Sequence, residues 1–133
     1  MKLQPRHTGL ILRIGLGIFM LFWGLAKFIT PEVWLNSFQA LYGNGAGVML
    51  PLLGAVQSVI AMMLFLGWKT RVAAIIGIIA YLAMLLPGLN RLFNPFGMTT
   101  GVPNLLFYEK ILVITAFLAL YAAGPGVYGL DKK

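Results

Sequence analysis

Residues 9 to 29 read GLILRIGLGIFMLFWGLAKFI. As a helix, about 20 mostly apolar residues rise roughly 30 Å, the thickness of a bilayer core. Three later stretches have the same character: 47 to 68 (GVMLPLLGAVQSVIAMMLFLGW), 71 to 89 (RVAAIIGIIAYLAMLLPGL) and 104 to 124 (NLLFYEKILVITAFLALYAAG). Lys2, Arg6 and His7 ahead of the first run imitate a signal peptide. That run is too long for a signal sequence, carries Lys27 near its end and lacks an A-x-A cleavage pattern, so it is read as a retained span. The expectation is an all-α, integral membrane four-helix bundle forming one domain over residues 1 to 133.

Composition agrees. With 60% hydrophobic and 10% charged residues, and a mean hydropathy of +0.91, the chain has too little polar surface for a water-soluble domain. A formal charge of +7 in a soluble protein would suggest nucleic acid. Here the cations sit beside and between apolar runs, so anionic lipid head groups are the expected partner and nucleic acid is not. The absence of cysteine excludes a disulfide, an iron-sulfur cluster and a thiolate zinc site within this chain. His7, the single histidine, lies outside the spans and cannot build a haem or copper site alone. No metal site is expected, and any redox centre belongs to a partner or a diffusible cofactor.

Lys and Arg flanking spans are retained on the cytoplasmic side. With four spans, the termini and the loop between the second and third spans share one side, and they carry Lys2, Arg6, Lys69, Arg71, Lys132 and Lys133. The opposite loops offer Arg91. Both termini are therefore expected in the cytoplasm. Between the first two spans, Pro31 can start a helix and Glu32 suits its first turn. Trp34, Leu35, Phe38, Leu41 and Tyr42 recur at helical spacing, so residues 31 to 42 are expected to form an amphipathic interfacial helix. The second outer loop, from Asn90 to Pro103, reads as an irregular cap.

Function should show where the membrane would not tolerate polarity without compensation. Arg13 and Lys27 fall within about 40° of one face of the first span, a face that also carries Gly17 and Gly24. Gln57 stands at the middle of the second span and wants an internal partner or a ligand. Glu109, near the outer end of the fourth, shares a depth with Lys27, which makes a Lys27 to Glu109 ion pair the first expected interior contact. Against these stand plainer roles. Lys27, Lys110 and Arg13 can snorkel to head groups; Gln57 can be a structural interhelical hydrogen bond worth about 1 kcal/mol. Tyr81, Tyr108 and Tyr121 read as packing or interfacial anchors, and the methionines as core filler. No catalytic triad, metal-spaced carboxylate cluster or phosphate-binding loop is present in the sequence.

The stretch from Arg13 through Trp23-Gly24-Leu25-Ala26-Lys27-Phe28, the run Leu66-Gly67-Trp68-Lys69-Thr70-Arg71, and Glu109 followed by the ending Gly124-Pro125-Gly126-Val127-Tyr128-Gly129-Leu130-Asp131 together resemble the DoxX family. The resemblance spans nearly the whole chain. It implies a four-helix membrane protein of the kind that serves as a subunit of oxidoreductase systems, with quinone as a candidate cofactor and a membrane or peripheral protein as partner. Two departures stand out: Gln57 replaces a glutamate common in the second span, and Val127 stands where arginine often follows the terminal Gly-Pro-Gly. An amide can hydrogen-bond a quinone carbonyl but cannot exchange a proton with it. The resemblance also draws attention to Asp131, expected to fold back and pair with Arg13.

The expected function is an accessory subunit of an oxidoreductase or respiratory complex in the cell inner membrane, rather than a self-sufficient enzyme. It would help to form a quinone site or dock a redox partner, with Arg13, Lys27, Gln57 and Glu109 as candidate ligand-binding groups. The alternative is a structural or assembly subunit without chemistry of its own, associating with other proteins or with further copies of itself through small-residue faces such as Gly54 with Ser58 and Ala73 with Gly77. A solute channel ranks last, because the spans lack a repeated polar ring.

Overall fold

The structure is a computed structural model, and it describes residues 4–99, 102–103, 108–126 and 129–130. After a 3-10 turn at Pro5–His7 come α1 (Thr8–Ile29), α2 (Pro31–Tyr42), α3 (Ala46–Leu66) and α4 (Thr70–Leu85). A second 3-10 turn at Leu86–Gly88 leads into the short α5 (Leu89–Leu92), and α6 (Glu109–Ala123) closes the described fold. The only strand pairing among the described residues is two residues long, Met98 opposite Pro103 and Thr99 opposite Val102. Three of these stretches, Pro5–Ile29, Gly43–Leu66 and Thr70–Gly88, are long and apolar enough to cross a bilayer.

The fourth apolar run behaves differently. Of residues 104 to 124, helix is described over Glu109–Ala123, about 22 Å of rise, while 104–107 lie outside the described residues. Glu109 therefore opens α6 rather than sitting a turn inside it, at a helix end where backbone N–H groups favour a carboxylate.

α1 packs chiefly on α3 and α4 on α6, and contacts of α1 with α6 and of α3 with α4 close the ring; α2 lies against α3. Small residues set these contacts. A Cβ on Gly24 would come within 3.0 Å of the Gly54 carbonyl oxygen, and one on Gly54 within 3.1 Å of the Lys27 Cβ, so α1 and α3 cross almost backbone to backbone. Across the bundle, the Phe117 ring fills the surface of Gly77, where a Cβ would meet it at 2.5 Å. Met20, Ile60, Leu64, Phe117 and Leu120 fill the core beside Ala61, Ala73, Ala74 and Gly77, yet many other large apolar side chains point outward, with Ile11, Ile18, Phe22, Val59, Ile79 and Leu112 exposed. So large an apolar outer surface is an arrangement for a lipid solvent, since water would leave those exposed side chains uncompensated.

One end of the bundle gathers the start of α1, the end of α3, the start of α4 and the end of α6; it is the terminal end. Here α3 stops on Gly67, whose φ of 64° is left-handed, and the Gly67 and Trp68 N–H groups donate to Leu64 and Met63. The chain after α6 folds back across this end. Leu130 N–H donates to the Leu66 carbonyl at 3.0 Å, and Gly9 is packed so closely on Gly124, Pro125 and Gly126 that it has no room for a side chain. The opposite, distal end is covered by α2, whose Tyr42 hydroxyl donates to the Ala83 carbonyl at 2.8 Å.

Candidate functional site

The distal end holds the polar cluster. Lys27, in the last turn of α1, is 3% exposed. Its Nζ donates to Gln57 Oε1 on α3 at 2.6 Å and to the Trp23 carbonyl, one turn back, at 3.2 Å. Gln57, 1% exposed, passes the chain on: its Nε2 donates to the Tyr81 hydroxyl on α4 at 2.7 Å. Tyr81 is itself 1% exposed. Aromatic rings wall in the ammonium, with Nζ 4.9 Å from the Trp34 ring centre, 5.6 Å from Trp23 and 6.0 Å from Phe38. Trp23 and Trp34 meet edge to face at 4.6 Å.

These contacts revise two expectations. Lys27 does not reach the head groups; it turns inward, because Gln57 and the tryptophan faces supply what water would otherwise give it. Nor is Glu109 its described ion-pair partner. Glu109 Oε1 pairs instead with its chain neighbour Lys110 at 3.1 Å, because α6 begins at Glu109 and holds both side chains at the helix end. α1, α3 and α4, together with α2, thus send side chains to one place.

Some hydrogen-bonding capacity there is unused. An ammonium has three donors, and two acceptors for Lys27 are described. The indole Nε1 of Trp34 and Oε2 of Glu109 are buried without a hydrogen-bond partner among the described residues. Buried polar atoms are almost always satisfied, so these unpartnered atoms and the remaining donor of Lys27 are polar groups with capacity to spare.

Arg13, at the terminal end, is the contrasting case. It is 1% exposed, and Nε donates to the Pro125 carbonyl at 2.7 Å while Nη1 donates to the Leu64 carbonyl at 3.1 Å. It does not snorkel, since α3 and the returning chain after α6 present main-chain oxygens that the side chain meets without leaving the bundle. The expected Arg13 to Asp131 pair falls on a residue outside the described ones.

Sequence reasoning passed over Tyr81, Trp23, Trp34 and Phe38 as members of the cluster. Trp23 had a visible signal, standing one helical turn before Lys27. For Trp34, Phe38 and Tyr81 no local pattern distinguishes a cage or a hydrogen-bond acceptor from packing.

A helical bundle with an apolar outer surface and charged groups bonded to one another across its interior is a polytopic α-helical membrane protein. The chain belongs to the DoxX family, whose profile matches residues 8–87. It is similar to Inner membrane protein YphA of Escherichia coli (strain K12), 27% identical over 130 residues that cover 93% of this chain and 88% of that protein. No solved structure matches it. The protein is accordingly a multi-pass protein of the cell inner membrane.

Proposed function

We propose that this protein is an accessory membrane subunit of an oxidoreductase assembly, and that its distal cluster holds the headgroup of a quinone. The observation that carries this reading is the buried chain from Lys27 through Gln57 to Tyr81, which ties α1, α3 and α4 together around a cation. A quinone is a flat apolar ring bearing carbonyl acceptors. The residues present fit such a group: the Trp23, Trp34 and Phe38 rings offer stacking faces, and Lys27, Trp34 Nε1 and the Tyr81 hydroxyl offer donors. Bound there, a quinone would supply the electron-accepting chemistry that no side chain of this chain can. The protein would hold and orient it, with α2 as its cover.

In this reading both termini face the cytoplasm, supported by the cations of the terminal side, including Arg6, Lys69 and Arg71. The distal cluster then lies toward the outer leaflet, and the redox partner docks on the protein from within or across the membrane. The alternative, a scaffold with no chemistry, draws its support from Arg13, whose described bonds go to main-chain oxygens.

Binding of a short-tailed benzoquinone to the protein in lipid nanodiscs separates the two. Trp23 and Trp34 lie in the cluster and Trp68 at the other end. The expected result is saturable quenching of tryptophan emission that survives Trp68→Phe and is lost in Gln57→Leu. Quenching that never saturates, or that Gln57→Leu leaves intact, would favour the scaffold.

A further inference from the structure

Lys27 brings a positive charge into the bundle, and no negative charge is described in contact with it. The chain has three acids. Glu32 is exposed at the start of α2, Glu109 engages Lys110 through Oε1 at 3.1 Å, and Asp131 lies outside the described residues. The described partners of the Lys27 ammonium are instead neutral: Gln57 Oε1 at 2.6 Å, the Trp23 carbonyl at 3.2 Å, and the faces of Trp23, Trp34 and Phe38. Amide oxygens and ring faces solvate a cation without cancelling it, and an ammonium 3% exposed has little water to do the rest.

Two donors remain at this cation. Nζ has a third N–H beyond the two acceptors described, and Trp34 Nε1 is buried with no hydrogen-bond partner among the described residues. They belong to one cage, since the ring that carries Nε1 has its centre 4.9 Å from Nζ. Gln57 cannot supply the missing charge, because its amide is neutral and its Nε2 is a donor already directed to Tyr81. Trp34 is half-buried, so the cage has one wall at the surface of the protein. A buried cation with spare donors and no described counter-ion is the complement of an oxygen that bears a negative charge.

We propose that the distal cluster takes its ligand as an anion: a flat ring whose ionised oxygen serves as counter-ion to Lys27 and accepts its third N–H, with Trp34 Nε1 donating to the same ligand. The inference rests on the quinone-site reading and adds to it the charge of the ligand, so that an acidic hydroxyquinone binds more tightly than a neutral quinone of the same shape. Gln57 then has a second part in specificity. A carboxylate at position 57 would neutralise Lys27 from within, whereas the amide holds the ammonium in place and leaves its charge to the ligand.

The test is equilibrium binding of two probes to the whole protein in nanodiscs of zwitterionic lipid, each corrected for uptake by empty nanodiscs. One probe is a naphthoquinone with a hydroxyl on the quinone ring, a vinylogous acid that is ionised at neutral pH; the other is its methyl counterpart, neutral and of the same size. Tryptophan quenching is read in the Trp68→Phe background, so that the emission comes from Trp23 and Trp34. A hydrogen bond between charged partners corresponds to about a tenfold ratio or more in affinity, so the anion is expected to bind more tightly by about that factor. Gln57→Glu, which is nearly isosteric and supplies an internal counter-ion, should remove the preference or reverse it. Equal affinity for the two probes, or a preference that Gln57→Glu leaves intact, overturns the anion reading but not the site. Failure of both probes to bind the protein with Gln57 in place overturns the site reading and this inference with it. Should Gln57→Glu fail to fold or bind neither probe, Trp34→Phe decides on the same ratio: it keeps the charge and removes one of the two donors, so the preference should shrink, and an unchanged ratio overturns the assignment.

Discussion

The two ends of this bundle each bury a cation and treat it in opposite ways. At the terminal end Arg13 donates to the carbonyls of Leu64 and Pro125, main-chain groups where α3 stops and where the chain turns after α6. At the distal end Lys27 is held by a side chain, Gln57, which is held by another, Tyr81, under a lid of aromatic rings. A cation that completes helix ends is fixed by the fold, because its partners exist in any sequence that stops there. A cation satisfied by side chains, under the Trp34 ring whose Nε1 is buried without a described partner, is the feature on which the proposed site rests. In the proposed reading the terminal end is the clasp of the structure and the distal end its site.

Substitutions should separate stability from ligand binding along that line. The largest effect is expected from Arg13→Leu, which takes the described donor from the buried Pro125 carbonyl, leaves the Leu64 carbonyl with Gly67 N–H alone, and loosens the returning segment. Loss of two charge-assisted hydrogen bonds corresponds to about 3 kcal/mol or more, seen as a large fall in the melting temperature in detergent. A melting temperature near wild type would break the comparison at its strongest point. Gln57→Leu comes next, at about 2 kcal/mol, because it leaves Lys27 and Tyr81 without their shared partner. Adding Lys27→Met should recover most of that loss, since apolar replacements for both partners of a buried polar contact are nearly neutral, while quinone binding stays abolished. If the double variant melts no better than the single one, the distal cluster is as structural as Arg13. Smaller still is Trp34→Phe, which keeps a ring over Lys27 but removes the unpaired indole N–H. Its melting should stay within about 0.5 kcal/mol of wild type, and its affinity for a benzoquinone should fall.

The contrast between the ends was only partly visible in the sequence. Apolar runs give the long helices away because lipid accepts nothing else of that length. The helix over Pro31–Tyr42 follows from Pro31, Glu32 and the spacing of Trp34 and Phe38. Depth along a helix is also legible, which is why Lys27 and Glu109 were matched with each other. Rotation about the helix axis is not. Whether Lys27 meets Glu109 or Gln57 depends on how α1 is turned against α3, and that is set by the close crossing of Gly24 on Gly54, a contact between distant parts of the chain. Tyr81 passed for an anchor for the same reason, as its hydroxyl acquires a role only once Gln57 faces it. For Arg13 the sequence offers the head groups or Asp131 and not the Leu64 and Pro125 carbonyls, because main-chain partners on distant segments leave no local signature.

The smallest effect concerns how the distal cover is fastened. Tyr42, at the end of α2 and outside the long spans, donates its hydroxyl to the Ala83 carbonyl on α4, and partial burial pushes its phenol up from the ordinary value of 10.0. Because the folded state favours the protonated phenol, the stabilisation from Tyr42 is complete below the unfolded value. It is lost as pH rises through the higher folded value, where the phenolate can no longer donate. Wild-type protein should therefore loosen over α2 at strongly alkaline pH, read as faster amide exchange in residues 31–42. Tyr42→Phe should show that faster exchange already at neutral pH, and less further change with alkali. Among the described residues no phenol fastens the chain after α6, so Tyr42→Phe should leave exchange at Gly124 and Leu130 unchanged. If alkali opens both ends together, or if Tyr42→Phe leaves α2 as protected as before, α2 is held by its buried face on α3 alone, and the distal cover is as permanent as the clasp.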